Sequence, residues 1–149
     1  GARESIAARF RAAGWRDALE KHRITPSVAP YQGDWSAESG YEAGVRIAEE
    51  DPAATAVFAS NDQMAYGAIL ALRARGIRVP EDVSVVGIDD SLTGIVPYND
   101  LTTIRFDLNE RGRIVFDYAV GSKRGAGPRA VRLPGTLIER GTVAQVRTG

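Results

Sequence analysis

Residues 83–88 read VSVVGI, an apolar and largely β-branched run that ends directly in two carboxylates, Asp89 and Asp90. Such a run is typical of a strand buried in a parallel sheet. Two similar runs end in polar or aromatic residues: residues 28–31 lead to Gly33-Asp34-Trp35, and residues 56–59 lead to Ser60-Asn61-Asp62. Because ligands bind outside the carboxyl ends of the strands in open α/β sheets, these residues are expected to converge on one crevice.

Around these runs, capping residues and helix breakers divide the chain into alternating elements. The predicted helices cover residues 5–22, 36–51, 60–75 and 107–120. The predicted strands cover residues 27–31, 55–59, 83–88, 101–105, 130–133 and 136–138, with a Gly-rich turn at residues 121–128. This order predicts an α/β fold with a mostly parallel, doubly wound sheet. The apolar residues expected to face inward from the last helix are Leu108, Val115, Phe116 and Ala119.

The composition excludes several classes of function. The chain has 149 residues, no cysteine, and 19 basic against 19 acidic residues. Disulfides, thiolate catalysis and cysteine-based zinc sites are therefore excluded, and the basic footprint of a free-standing nucleic-acid binder is missing. The lack of cysteine fits a reducing cytoplasm, which is the expected location. There is no apolar run of membrane-spanning length and no secretory leader pattern. The abrupt start without Met suggests a fragment of a longer protein.

Three residues at the predicted strand ends are candidates for holding a polyhydroxylated ligand. Trp35 offers an indole that can stack on a sugar face, although an aromatic residue more often packs over a neighbouring helix. Asn61 offers an amide, although residues before a helix are ordinarily caps, and Ser60 or Asp62 can cap while Asn61 faces the crevice. Asp89 can accept from two hydroxyls, whereas Asp90 is the better candidate for a structural ion pair.

Two basic side chains on the first helix are weaker candidates. Arg11 presents a planar fork of donors that suits hydroxyl and carboxylate ligands, although a surface arginine is the default interpretation. The lone histidine, His22, lies at a helix end, where a cation facing the helix dipole explains it.

The motifs of common enzymes are missing, so no catalytic residue, metal ligand or cofactor is predicted. The sequence has no Gly-x-Ser-x-Gly elbow, no phosphate loop and no histidine pair at metal-binding spacing. Asp89 and Asp90 make a poor acid and base pair, because adjacent residues of a strand point to opposite faces. A phosphoacceptor aspartate of the receiver-domain type lacks the expected acidic cluster and lysine.

Several segments together resemble the C-terminal part of lactose-repressor-type (LacI/GalR) transcription regulators. The resemblance runs from Gly1 to about Gly141. It depends on SIAARFRAAGW at residues 5–15, GDWSAESG at 33–40, ASNDQMA at 59–65, VPEDVSVVGIDD at 79–90 and LTTI at 101–104. It implies a truncated, periplasmic-binding-protein-like (type I) fold in which Arg11, Trp35, Asn61 and Asp89 contact the inducer. Ser5, Ala7 and Phe106 are candidates for lining the same pocket.

The sequence departs from the lactose-repressor pattern at three places. Ala7 stands where that group carries a serine near the sugar, and Phe106 stands where it carries a polar residue. Both changes make the expected pocket more apolar and put galactoside specificity in doubt. Asn99-Asp100 also replaces the usual Pro-Pro before LTTI.

The resemblance also implies a domain organisation and partners. Residues 1–105 are expected to form part of the C-terminal effector-binding subdomain, residues 106–128 to return to the N-terminal subdomain, and residues 129–149 to form the final strands and tail. Homodimers are expected through the helices at 36–50 and 61–75 and the loop after Asp90. The helix-turn-helix, the hinge and a strand before Gly1 are missing, so operator binding needs the N-terminal domain.

These observations predict the effector-binding and dimerisation fragment of a sugar-responsive transcriptional regulator that is not an enzyme. The effector is expected to be a sugar or a related small molecule. A periplasmic sugar-binding protein of a transport system, which shares the fold, is the alternative. An enzyme of the doubly wound class is a second rival, and turnover of a bound sugar would distinguish it.

Overall fold

The computed structural model of the chain describes residues 1–2, 4–122 and 131–145. The elements follow the order α1 (Ile6–Lys21), α2 (Ala37–Glu50), β1 (Ala56–Phe58), α3 (Asp62–Ala74), β2 (Ser84–Ile88), β3 (Thr102–Arg105), α4 (Leu108–Ser122) and β4 (Thr136–Ile138). The α/β class predicted from the sequence is confirmed. The structure describes no helix that is long and apolar enough to cross a membrane.

The four strands form one sheet in the order β1-β2-β3-β4. Strands β1, β2 and β3 pair in parallel, with Val57 opposite Val85 and Gly87 opposite Thr103, whereas β4 runs antiparallel to β3. Parallel neighbours require crossover connections, and α3 supplies the connection between β1 and β2. The carboxyl ends of β1, β2 and β3 therefore lie side by side at one edge of the sheet.

The core lies between the sheet and the helix pair α2 and α3. Leu72, Val85 and Leu101 are almost completely buried in it. The two helices approach so closely that a Cβ on Gly40 would lie 2.2 Å from the carbonyl oxygen of Met64. Small residues at this contact allow the backbones of α2 and α3 to meet, which fixes the start of α3 against the rest of the fold.

Two predicted strands are not observed. Residues 27–31 form no strand, because Pro30 within the segment and Pro26 before it lack the N–H group that sheet pairing needs. Tyr31 nevertheless packs against the core, so the apolar run marks burial without sheet pairing. Residues 131–133 also lack regular structure, and residue 130 lies outside the described residues.

The predicted inward face of the last helix is wrong for the described residues. Leu108, Val115 and Phe116 are 68%, 61% and 68% exposed, and Ala119 is exposed as well. Helical spacing identifies an apolar stripe but cannot say what covers it. α1 is similar, since none of its residues is buried and Ile6 and Phe10 lie on the surface. The last helix, α4, extends to Ser122, and residues 123–128 of the predicted turn lie outside the described residues.

Candidate functional site

Three strand ends present the predicted site residues at the same edge of the sheet. β1 is followed by Ser60 and Asn61, β2 by Asp89, and β3 by Phe106. Backbone hydrogen bonds continue the sheet beyond the strands, from Ala59 N to the carbonyl of Val86 (2.9 Å) and from Asp89 N to the carbonyl of Ile104 (2.8 Å). The sheet therefore determines where each of these residues begins to leave it.

Arg11 reaches from α1 to this edge and pairs with Asp89. Arg11 Nη2 lies 2.7 Å from Asp89 Oδ1, and Arg11 Nη1 lies 3.3 Å from Asp89 Oδ2. Nη1 also donates to the carbonyl oxygen of Ser60. The two side chains are 22% and 38% exposed, so the pair is half-buried and its outer face meets solvent. A forked pair of this kind fixes both side chains in one geometry.

Trp35 joins the same cluster through its ring. The guanidinium carbon of Arg11 lies 5.5 Å from the centroid of the Trp35 ring, within the range of a cation–π contact. The indole is half-buried, and the backbone of Gly1 lies against its six-membered ring. Trp35, Arg11 and Asp89 thus form one continuous cluster, although they are far apart in the sequence.

Asn61 supports the cluster from the start of α3. Its Oδ1 accepts from Met64 N (2.9 Å), so Asn61 is itself the N-cap residue. Its Nδ2 donates to the carbonyl oxygen of Trp35 at 2.9 Å. Capping by this motif is confirmed, but the cap is Asn61 and not Ser60 or Asp62. The side-chain amide of Asn61 therefore both caps α3 and connects the backbone of Trp35 to this helix.

Two of the five non-glycine residues with positive φ in the described part of the chain, Trp35 and Asp89, belong to the cluster, whereas Arg23 and Tyr98 lie elsewhere. Trp35 has a φ of 82° and Asp89 a φ of 106°, and Asp90 follows with 53°. Side chains with a Cβ rarely adopt this left-handed region, which costs on the order of 1–3 kcal/mol for each residue. Strain of this kind persists only where surrounding contacts determine the conformation, and it is typical of ligand-binding sites.

Asp34 stabilises the turn that carries Trp35. Its Oδ1 accepts from Ser36 N (2.9 Å) and from Ser36 Oγ (2.6 Å). These hydrogen bonds lower the pKa of the Asp34 carboxyl to about 2. Ser36 in turn caps α2 by accepting from Ser39 N, as the sequence predicts. The GDW motif is therefore a capping turn that presents an indole.

Asp90 has the structural role expected of it. Its side chain is only 5% exposed and pairs with Arg140 (2.8 Å to Oδ1) and with Arg105 Nε (2.6 Å to Oδ2). Burial alone would raise the pKa of Asp90, but the hydrogen bonds from Arg140, Thr93 and Arg105 outweigh it and hold the pKa below its usual value. The loop after β2 is therefore fastened to β3 and to the last described segment.

The remaining predicted residues lie around the cluster or at helix ends. Ser5 is the N-cap of α1, and its Oγ accepts from Ala8 N at 3.4 Å. Ala7 is exposed in the first turn of α1, and Phe106 is half-buried at the end of β3. His22 is the C-cap of α1, at the helix end where the sequence places it.

Sequence reasoning missed three groups that build the cluster. They are the carbonyl oxygen of Ser60, which binds Arg11, and the side chains of Asp62 and Thr103 beneath Asp89. One signal in the sequence is Gly87, since a Cβ there would lie 2.4 Å from Asp62 Oδ1. A glycine inside an otherwise β-branched strand indicates such a close approach.

A cavity of about 960 Å³ lies elsewhere, between α1 and β1. It is lined mainly by apolar side chains, among them Trp15, Leu19 and Val57, and it touches Ser60 but not Arg11, Trp35 or Asp89. The predicted ligand residues therefore do not line this cavity. Among the described residues, no three His, Cys, Asp or Glu side chains are grouped so that they would hold a metal ion.

Comparison with known proteins gives the family. A profile of the periplasmic binding protein-like domain matches residues 1–143. The chain is 36% identical over 149 residues to the lactose operon repressor of Escherichia coli strain K12, which covers 99% of the chain and 41% of that repressor. It is 35% identical over 137 residues to the HTH-type transcriptional repressor PurR of Escherichia coli O1:K1, which covers 90% of the chain and 40% of PurR. The chain spans about two fifths of the length of both relatives.

A solved structure supports the same assignment. The lac repressor dimer bound to operator and the anti-inducer ONPF superposes with a TM-score of 0.89 at 36% identity, covering 97% of this chain and 51% of that chain. The resemblance inferred from the sequence motifs is confirmed, and so is the periplasmic-binding-protein-like fold, of which the chain holds a part. The chain therefore belongs to the periplasmic binding protein-like domain family, and within it to the lactose-repressor-type (LacI/GalR) group.

Proposed function

We propose that this chain is the effector-binding and dimerisation part of a sugar-responsive transcriptional repressor. The observation that carries the proposal is the cluster of Trp35, Arg11 and Asp89 at the carboxyl edge of the parallel strands. Such edges are where open α/β sheets bind ligands. The relatives carry the names of repressors, and one related structure is described as bound to operator and an anti-inducer.

The electrostatics of the cluster favour a neutral polyhydroxylated ligand. Arg11 and Asp89 neutralise each other, so the crevice offers no net charge to a phosphate or a carboxylate. Sugar hydroxyl groups both donate and accept, and each can bridge a guanidinium N–H and a carboxylate lone pair. The half-buried indole of Trp35 supplies the apolar face on which a pyranose ring stacks. Asn61 would orient Trp35 and offer its second amide hydrogen to the ligand.

Regulation would follow from a shift between two domain arrangements. The outer face of the Arg11–Asp89 pair is open to solvent, and a second subdomain would close over the bound effector. An effector can change operator affinity only by binding one arrangement better than the other. Residues 1–105 would belong to one lobe, 106–128 would return to the other, and 129–149 would rejoin the first. Pairing of β4 with β3 supports the last of these assignments.

Further parts of the proposal concern the whole protein. Homodimers would form through α2, α3 and the loop after Asp90, and operator DNA would bind through an N-terminal domain. The protein would have no catalytic activity and would act in the cytoplasm. Ser5, Ala7 and Phe106 would line the pocket, and the apolar Ala7 and Phe106 would alter the choice of sugar. A transport protein is disfavoured because the relatives are named as repressors.

Titration of the full-length protein with mono- and disaccharides, lactose included, tests the proposal through tryptophan fluorescence. Trp35→Phe identifies the part of the signal that comes from Trp35, and Trp15→Phe, at the other tryptophan of this chain, serves as the control. At least one sugar should change the Trp35 signal and weaken operator binding. Trp35→Ala and Asp89→Ala should each weaken that sugar's affinity, measured by calorimetry, by about tenfold or more. Unchanged affinity in both variants would refute the site.

A further inference from the structure

The backbone that carries Asp89 is held by an unusual arrangement of acceptors. Asp89 and Asp90 both have positive φ, so this turn needs support from outside. Each of the three successive amides from residue 89 to residue 91 has an acceptor. Asp89 N donates to the carbonyl of Ile104 at 2.8 Å, which continues the sheet. The next two amides leave the sheet and bond to side chains.

Those two side chains are Thr103 and Asp62. Asp90 N donates to Thr103 Oγ1 at 3.4 Å, and Ser91 N donates to Asp62 Oδ2 at 2.6 Å. The Thr103 hydroxyl in turn donates to Asp62 Oδ1, so the two acceptors are joined. Thr103 comes from the middle of β3 and Asp62 from the first turn of α3, so the turn is fastened to two different elements.

Both side chains are buried and lie below the site instead of in it. Asp62 is 1% exposed and Thr103 is not exposed at all. Burial raises the pKa of the Asp62 carboxyl despite its two hydrogen bonds, with Asp89 and Asp90 adding to the effect. Burying a carboxylate in the first turn of α3 costs desolvation free energy, and α3 does not need it as a cap, because Asn61 already caps the helix. Its position is explained by the turn that it holds.

We propose that Asp62 and Thr103 are positioning residues for the effector site, which set the direction in which Asp89 presents its carboxylate to Arg11 and to the ligand. This inference rests on the proposed function. Neither side chain would touch the effector. Each would act through the amides of Asp90 and Ser91, so its loss would rotate or loosen Asp89 and weaken binding.

Three substitutions and one control test this role in the full-length protein. Asp62→Ala removes both carboxylate oxygens of Asp62, and Thr103→Val removes the hydroxyl of Thr103 while keeping the shape of its side chain. Asp62→Asn should preserve the arrangement, because its carbonyl can accept from Ser91 N while its amide donates to Thr103 Oγ1. The control is Thr142→Val. Thr142 is equally buried and joins Thr102 N (2.9 Å) to the carbonyl of Val85 (2.7 Å), but contacts none of residues 89–91.

Three measurements separate positioning from general destabilisation: urea unfolding, amide hydrogen exchange of residues 89–91 without ligand, and affinity for whichever sugar changes the wild-type Trp35 fluorescence. Asp62→Ala and Thr103→Val should speed exchange at residues 90 and 91 and weaken affinity about tenfold or more. Thr142→Val should lose comparable stability but keep affinity within about twofold, and Asp62→Asn should bind nearly as the wild type does.

Two results would overturn the inference. One is equal loss of affinity in Thr103→Val and Thr142→Val, and the other is Asp62→Asn binding as weakly as Asp62→Ala. If Asp62→Ala does not fold, Thr103→Val and Asp62→Asn decide the matter. If no sugar binds the wild type, the proposed function fails, and the exchange measurement alone decides whether Asp62 and Thr103 hold the turn.

Discussion

Replacing Arg140 by methionine should destabilise the protein in a way that depends on pH. Arg140 Nη1 donates to the carbonyl of Leu101 at 2.7 Å, and Nη2 donates to Asp90 Oδ1 at 2.8 Å and Thr93 Oγ1 at 3.1 Å. Arg140 and Asp90 are only 18% and 5% exposed, so solvent cannot fully replace these bonds. Methionine fills a similar length but offers no donor.

The expected loss follows from the partners left behind. Breaking a buried ion pair typically costs about 3–5 kcal/mol, because one charge is left uncompensated. In the variant Asp90 still pairs with Arg105, whose Nε lies 2.6 Å from Asp90 Oδ2, so the carboxylate is not left without a cation. The carbonyl of the buried Leu101 loses its donor, which adds about 1 kcal/mol or more. We therefore expect Arg140→Met to lower the free energy of unfolding by roughly 2–3 kcal/mol at pH 7.

The pH dependence has a definite sign. The pKa of Asp90 is lower in the folded protein than its usual value of 3.8, so the ionised carboxylate contributes stability above that value. This contribution disappears as the pH falls below 3.8 and through the folded pKa. The difference in unfolding free energy between wild type and Arg140→Met should therefore be full at pH 7 and smaller below pH 3.

Urea unfolding followed by circular dichroism at both pH values measures this difference. Arg113→Met is the matched control, because Arg113 pairs with Glu110 and Asp117 on the exposed surface of α4. It should give no resolvable change at either pH. A difference for Arg140→Met that is equally large below pH 3, or that matches the control at pH 7, would refute the reasoning about Asp90.

Two further predictions concern backbone contact and titration. Gly40→Ala should lower the free energy of unfolding by about 1–3 kcal/mol, because its Cβ would collide with the backbone of Met64. Gly14→Ala in α1 has open space and should instead stabilise by about 0.5–1 kcal/mol, as chemical denaturation can show. The Asp34 carboxyl should titrate near pH 2 by carbon NMR, and Ser36→Ala should move that midpoint toward its usual value. A midpoint unaffected by Ser36→Ala would contradict the assigned hydrogen bonds.

The central part of the fold was predictable because local and global signals agree there. The run at residues 83–88 is rich in β-branched residues, and it forms β2 as expected, with Val85, Gly87 and Ile88 buried. Ser36 caps α2 as expected, and the helix predicted to start at Ser5 begins at Ile6, with Ser5 as its N-cap. Asp90 forms the structural ion pairs expected of it. Asp89 also pairs with an arginine, Arg11, so ion pairing alone does not distinguish the two carboxylates.

The errors arose where the partner of a segment decides its structure. Residues 27–31 have an apolar pattern, but strand formation requires backbone N–H groups that pair with a neighbouring strand, and Pro30 within the segment has none. The apolar stripe of α4 is exposed because an amphipathic helix pattern does not identify what covers it. Capping was expected of residues 60–62 as a group, but the sequence could not single out Asn61, because Ser, Asn and Asp all cap well. Only the hydrogen bond to Met64 N decides among them.

Backbone strain and charge neutrality together indicate how the proposed effector site would discriminate among ligands. Trp35 and Asp89, the two residues that would contact opposite sides of a sugar, both sit in conformations that side chains rarely adopt. Asn61 Nδ2 donates to the backbone carbonyl of Trp35. The two amides that follow Asp89 donate to buried side chains. The side chains that would contact a ligand are therefore already ordered before it binds. Small differences in the positions of the ligand's hydroxyl groups should then change its affinity. Because Arg11 already neutralises Asp89, this selectivity would come from hydrogen-bond geometry more than from net charge.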